Sequence, residues 1–144
     1  MSAPAFSVVV PEHRRQEGLQ ALLGALARLQ VPAGGFDVVV VDDGSPEPLH
    51  PVVPEGLDVR LLRTPNGGPA AARNAGLREA RGDLVAFTDD DCLPEPDWLV
   101  RLEAAFAARP GALVAGRSVC GLPGNPWAES SQALEDAIYE RVNA

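Results

Sequence analysis

Residues 82–99 read GDLVAFTDDDCLPEPDWL, and the reading of their first half decides the fold. The short apolar run Leu84 to Phe87 ends in Thr88 and three consecutive acids, Asp89, Asp90 and Asp91. Such a run reads as a strand buried on both faces, whose carboxyl end delivers the acids to the rim of a sheet. Three adjacent carboxylates repel one another unless a cation or strong donors sit among them, so a hard divalent metal ion is their natural partner. A solvated acidic turn is the alternative reading of the same residues.

Upstream of this stretch, Thr64 to Pro69 (TPNGGP) forms a turn that opens a helix of small residues, Ala70 to Ala80. Pro69 suits its first turn, and its free N–H groups with Arg73 beside them suit an anionic group. Further back, Asp37 to Val41 reads as a strand apolar on both faces and closed by Asp42, Asp43, Gly44 and Ser45, so acids again follow a strand. The chain opens with the β-branched run Phe6 to Val10, which Pro11 is expected to stop. The polar loop Pro11 to Arg15 leads into a helical face of Leu19, Leu22, Leu23, Leu26 and Leu29. Prolines at 46, 48, 51 and 54 predict an irregular connection, in which His50 is a solvated side chain, and Val59 to Leu62 is a shorter strand nearer a sheet edge. Downstream, Asp97 begins a helix with an apolar face of Trp98 or Leu99, Leu102 and Phe106. Ala112 to Ala115 is a further strand candidate, and Leu134, Ala137, Ile138 and Val142 repeat at helical spacing near the end.

The 144 residues suit about one domain with a real core, read as a single domain over 1–144. A hydrophobic share of 46% argues against wholesale disorder. The net charge of −8 disfavours binding to a phosphate backbone, so nucleic acid is not an expected partner. The two cysteines, Cys92 and Cys120, form neither a CxxC nor a cluster with histidine, which points to a reducing compartment without a zinc site or disulfide scaffold. No apolar run approaches the roughly 20 residues of a membrane span, and a cytoplasmic location is expected.

Strand and helix alternate in the order expected of an α/β sandwich with a mostly parallel sheet, whose ligands gather at the carboxyl ends of the strands. Three strand ends carry polar loops: Pro11 to Arg15, Asp42 to Ser45, and Asp89 to Asp91. Two of them carry paired acids, which could orient a base or ribose and hold a metal that neutralises a diphosphate. A phosphorylated nucleotide is the simplest ligand, and neither GxxxxGK[ST] nor GxGxxG is present to suggest another binding mode.

The succession SVVVP, VVVVDDGS, NGGPAAARNAGLREARGDLVAFTDDD and LPEPDWL resembles the nucleotide-binding half of the family 2 glycosyltransferases, which have the GT-A fold. The resemblance runs strongly from about Phe6 to Leu99 and more loosely to Arg117. It implies a GT-A, Rossmann-like sandwich and inverting transfer of a sugar from a UDP- or GDP-linked donor to an acceptor hydroxyl, with Mn²⁺ or Mg²⁺ bound. By the same resemblance Asp42 and Asp43 hold base and ribose, with Asp43 the base partner, while Arg73 lies near the base or phosphates and Pro11 lies against the base. Asp89 faces the ribose or the metal, Asp91 is the direct metal ligand, and Asp90 between them joins the nucleotide-sugar-binding set. After Pro11 the family shows a small hydroxyl residue and an aromatic, where this chain has Glu12 and His13. The family's catalytic base, in a Glu-Asp pair, and its acceptor-binding region lie further along than this chain extends. Glu135 and Asp136 match that pair by letter only and are not assigned as the base. A donor-binding module without independent turnover is therefore the alternative. A flavodoxin-like phosphoacceptor domain using Asp42 and Asp43 would need a late lysine, and the chain contains none. The acceptor is not specified, and the assembly is open, with a homodimer among the possibilities.

Overall fold

Two valine-rich segments, Phe6–Glu12 (β1) and Phe36–Asp43 (β2), form the centre of a parallel sheet, and all but Phe36 of their residues are buried. The computed structural model describes residues 3–119 and 121–143, leaving aside the side chains of 135 and 138–143. It divides the chain into two units, Met1–Ala108 and Arg109–Ala144. Cys120 and the side chains of Glu135, Ile138 and Val142 thus lie outside the described residues.

In the first unit, β2 pairs on its far side with Val59–Thr64 (β3), and β1 pairs with Leu84–Phe87 (β4), giving the order β3-β2-β1-β4 with every pairing parallel. β3 lies at the sheet edge, as its flanking charge predicts. β4 corrects its expectation of burial on both faces. It pairs with β1 alone among the described residues, and only Ala86 is buried while Phe87 is exposed.

Pro11 also departs from expectation, because β1 continues through it to Glu12. The Val9 carbonyl accepts the Thr88 N–H on the β4 side, and by alternation Pro11 faces that same side, where β4 has already ended. The N–H that proline lacks has no ladder to serve there.

Gln16–Leu26 (α1) packs on one face of the sheet through Leu19, Leu22, Leu23 and Leu26. Burying each leucine contributes roughly 2 kcal/mol, against a few tenths between ordinary helix propensities, so the packing face sets this helix. Trp98–Ala108 (α3) joins the same core through Leu99 and Phe106, the latter's ring centroid 6.4 Å from that of Phe6. Pro69–Glu79 (α2) covers the opposite face over Val9, Val39 and Val41. It approaches closely because a Cβ on Gly76 would run into the Val9 side chain.

The second unit contains Pro126–Asn143 (α4), capped by Asn125 Oδ1, which accepts the Trp127 and Ala128 N–H groups at 3.1 and 3.2 Å. Residues 112–115, expected as a strand, form no ladder among the described residues, and Leu113 is fully exposed. Alanine-rich and without a strand to pair with, this segment has little to hold it extended.

Candidate functional site

The order β3-β2-β1-β4 reverses direction at β1, so a crevice opens beyond the carboxyl ends of β1 and β4. A cleft of about 400 Å³ lies there. Its wall takes Pro11, Glu12, His13 and Arg15 from the β1 end, Asp43 from β2, Pro69 and Arg73 from α2, and Asp89, Asp90 and Asp91 from the segment after β4. Of the residues singled out in the sequence, Pro11, Asp43, Arg73, Asp89, Asp90 and Asp91 thus meet in one place.

Asp42 is placed differently. It is buried beneath the turn that follows β2, where its Oδ1 accepts the Ser45 N–H at 2.8 Å and its Oδ2 lies 3.8 Å from Arg63 Nε. Asp42 therefore shapes the turn that presents Asp43. Gly44 completes that turn with φ of 67°, and a Cβ there would stand 2.5 Å from the Asn66 nitrogen.

Asp43 is fastened by backbone. Its two carboxylate oxygens accept the N–H groups of Gly67 and Gly68, each at 2.8 Å, and its carbonyl accepts from Asn66 Nδ2 at 3.0 Å. His13 Nδ1 lies 2.9 Å from the same carbonyl, which ties the loop after β1 to the β2 end. Arg14 strengthens the tie, donating its N–H to Ser45 Oγ at 3.0 Å from a left-handed conformation with φ of 62°.

The three acids after β4 are held by side chains instead. Arg73 Nη2 donates to Asp89 Oδ1 at 2.6 Å. Arg15 Nη1 donates to Asp91 Oδ2 at 2.9 Å and lies 3.5 Å from Asp90 Oδ1. Burial pushes the Asp90 carboxyl above the usual range, and although the Arg15 charge opposes the shift, Asp91 and Asp89 add to it. Burial raises Glu12 likewise, its hydrogen bond from the Arg15 N–H opposing and the charges of Asp90 and Asp42 reinforcing. Glu12 Oε2 is buried with no hydrogen-bond partner.

Arg15 and Glu12 are site residues that strand-end reasoning did not single out. The signal for Arg15 was a cation in one strand-end loop and three acids in another, both delivered to the same sheet rim. Burial pushes the Cys92 thiol up, which leaves it a weak nucleophile beside these acids. In the second unit, Asp136 pairs with Arg117 at 2.9 Å, and this partner, with Gln132, holds its carboxyl below the usual range.

The donor chemistry of the cleft fits a hard divalent cation. Among the described residues no three metal-ligating side chains are gathered as a finished cage. A Mg²⁺-like ion, however, is ordinarily bound by one or two carboxylates with substrate phosphates completing its shell. Asp89 and Asp91 supply carboxylates of that kind, and their present partners are exchangeable side chains.

The family described as Glycosyl transferase family 2 matches residues 7–143. The pre-mycofactocin glycosyltransferase of Mycobacterium tuberculosis is 36% identical over 135 residues, which are 92% of this chain and 27% of that protein. The chain thus spans about a quarter of the length of that relative. Among solved structures, Staphylococcus aureus TarS 1–349 in complex with UDP-GlcNAc superposes with a TM-score of 0.62 at 26% identity, covering 81% of this chain and 38% of that one. The mannosyltransferase PcManGT of Pyrobaculum calidifontis, in complex with GDP-Man and Mn²⁺, gives 0.60 at 27% identity over 74% of this chain and 33% of its own. The parallel sheet and its flanking helices are the GT-A arrangement of these enzymes, and the chain belongs to glycosyl transferase family 2.

Proposed function

We propose that residues 1–144 form a nucleotide-sugar-binding domain that takes a UDP- or GDP-linked sugar together with Mn²⁺ or Mg²⁺, for inverting transfer of the sugar to an acceptor hydroxyl. The observation that carries this reading is the meeting of Asp43, Arg73 and Asp89 to Asp91 in one cleft at the switch point of the sheet. The UDP-GlcNAc, GDP-Man and Mn²⁺ held by two solved members of the fold support it.

In this reading Asp43, pinned by two backbone donors, presents its remaining lone pairs to the base, with Pro11 alongside and Asp42 acting through the turn. Arg73 turns from Asp89 toward the diphosphate. Asp89 and Asp91 hold the cation, with Asp90 behind them in the nucleotide-sugar-binding wall. When bound, a divalent cation supplies charge stabilisation to the leaving diphosphate. Arg73, once turned, adds a permanent positive charge at the same group, so the chain's own contribution to catalysis is electrostatic.

A carboxylate base is also needed to take the acceptor proton. Asp136 is not assigned that role, since it lies on α4 paired with Arg117 at 2.9 Å. The cleft aspartates are engaged in the roles above, and Glu12 is buried with one oxygen accepting the Arg15 N–H. Donor binding without turnover is accordingly the behaviour proposed for this chain tested alone.

The test is calorimetric titration of UDP and GDP with and without Mn²⁺, followed by donor-sugar hydrolysis on the same sample. Metal-dependent nucleotide binding should be abolished in Asp91→Ala and retained in Asp136→Ala. Equal loss in both variants would overturn the assignment of the site.

A further inference from the structure

We propose that Arg15 competes with the divalent cation for Asp91 and then binds the nucleotide diphosphate, so that cation and nucleotide enter this cleft cooperatively. The inference deepens the function proposed above and rests on it for its second half.

The competition follows from one contact. Arg15 Nη1 sits 2.9 Å from Asp91 Oδ2 and 3.5 Å from Asp90 Oδ1, where a cation held by Asp91 would have to draw its charge. A guanidinium and a divalent ion cannot both take the same carboxylate at full strength. The metal must therefore displace Arg15, and its affinity in the absence of nucleotide is lowered by what that contact was worth.

Arg15 is built to move at its tip and not at its base. Its backbone N–H donates to Glu12 Oε1, its carbonyl accepts the Leu19 N–H at 3.0 Å, and the preceding Arg14 is held by Ser45. Its side chain is 59% exposed, so the long aliphatic stem can swing while its origin stays at the cleft wall. The acceptor best matched to a released guanidinium is a phosphate group, whose oxygens take its N–H fork in bidentate fashion. A diphosphate bridging to the cation at Asp91 would bring such oxygens to the place Arg15 has just left.

Charge in the wall points the same way. Five carboxyl groups line the cleft, those of Glu12, Asp43, Asp89, Asp90 and Asp91, against two guanidiniums. Glu12 is 2% exposed, and its Oε2 has no partner. A wall with a buried, unanswered carboxyl oxygen and excess negative charge calls for further positive charge, which Arg15 supplies only in part. Because the metal frees Arg15 and the diphosphate captures it, each ligand raises the affinity of the other by the same factor.

The experiment titrates Mn²⁺ alone into the protein, following free Mn²⁺ by electron paramagnetic resonance. UDP and GDP are then titrated calorimetrically at zero and saturating Mn²⁺. Arg15→Ala should bind Mn²⁺ alone about fivefold more tightly, the upper end for loss of one exposed ion pair. It should bind nucleotide diphosphate roughly tenfold more weakly with Mn²⁺ present, as expected when one charge-assisted phosphate contact is lost. Arg15→Lys, which keeps the charge without the fork, should fall between the two. Arg14→Ala removes the same charge one residue away, outside the cleft wall, and should match the parent in both titrations. Unchanged or weaker Mn²⁺ binding by Arg15→Ala would overturn the competition. An unchanged nucleotide–metal coupling would overturn the capture step. If the parent protein binds no nucleotide under any condition, the donor-binding reading and the capture step fail together, while the Mn²⁺ comparison still decides the competition.

Discussion

Asp43 at the end of β2 and Asp89 just past the end of β4 are aspartates at the rim of one sheet, facing one cleft, yet they are held by different kinds of partner. Asp43 is 4% exposed and answered by the backbone N–H groups of Gly67 and Gly68, which the turn fixes in place. Asp89 is half-exposed and answered by Arg73, a side chain that is itself 37% exposed. Backbone donors cannot leave without unfolding the turn, whereas a guanidinium can exchange one anion for another at little cost. The difference separates the frame of the cleft from its exchangeable part. The β2 end holds the loops together, and the acids after β4 are answered by arginine side chains that water reaches.

Asp43→Ala is the harshest test of that division. It strips the charged acceptor from two backbone N–H groups that stay within the turn, and hydrogen bonds to charged groups contribute about 1.5–3 kcal/mol each. The variant should lose roughly 3 kcal/mol of stability, seen as a lower urea midpoint at unchanged slope. A loss below about 1 kcal/mol would place Asp43 with the exchangeable acids and erase the contrast.

Much of the frame was legible because it follows from composition at the centre of the sheet. The valines of β1 and β2 are buried on both faces, and continuous apolar runs report that condition directly. The same pattern misleads at the edge. Leu84 to Phe87 is as apolar as β1, but periodicity carries no information about how many neighbours a strand has, and Phe87 lies open. Pro11 misleads for a related reason, since whether a missing N–H matters depends on where β4 stops. At the site, residue types chosen for their chemistry could be found by eye, and six of them share the cleft. What could not be read was pairing: Arg15 and Asp91 are 76 positions apart, and Asp42 and Asp43 are adjacent in sequence but divided by the strand's alternation into a buried turn residue and a cleft residue.

Glu12 and Asp90 sharpen the comparison from between its two poles, being buried like Asp43 but without backbone donors enough to hold their charge. Burial raises both carboxyls above their ordinary values, so the folded chain takes up protons more readily than the unfolded chain. The stability that these groups contribute is complete below the ordinary carboxylate pKa and falls as pH rises through the folded values. Glu12→Gln removes the charge while keeping an acceptor for the Arg15 N–H. At pH 7 it should be more stable than the parent by on the order of 1 kcal/mol. The advantage should vanish below the ordinary glutamate value of 4.5. Urea midpoints of both proteins across this range provide the check. A variant less stable than the parent at pH 7 would mean that the charged carboxylate is itself well satisfied.

The mildest effect belongs to the exchangeable side. Asp89→Ala breaks the 2.6 Å pair with Arg73, a short contact that would look costly if distance alone set the energy. Both partners are more than a third exposed. Water therefore screens the attraction, and the freed guanidinium is rehydrated where it stands. The expected loss is about 0.5 kcal/mol or less, read from the same urea titrations. A loss approaching that of Asp43→Ala would show that Arg73 cannot leave Asp89 without cost to the fold, and with it would go the idea that this pair opens to receive a diphosphate.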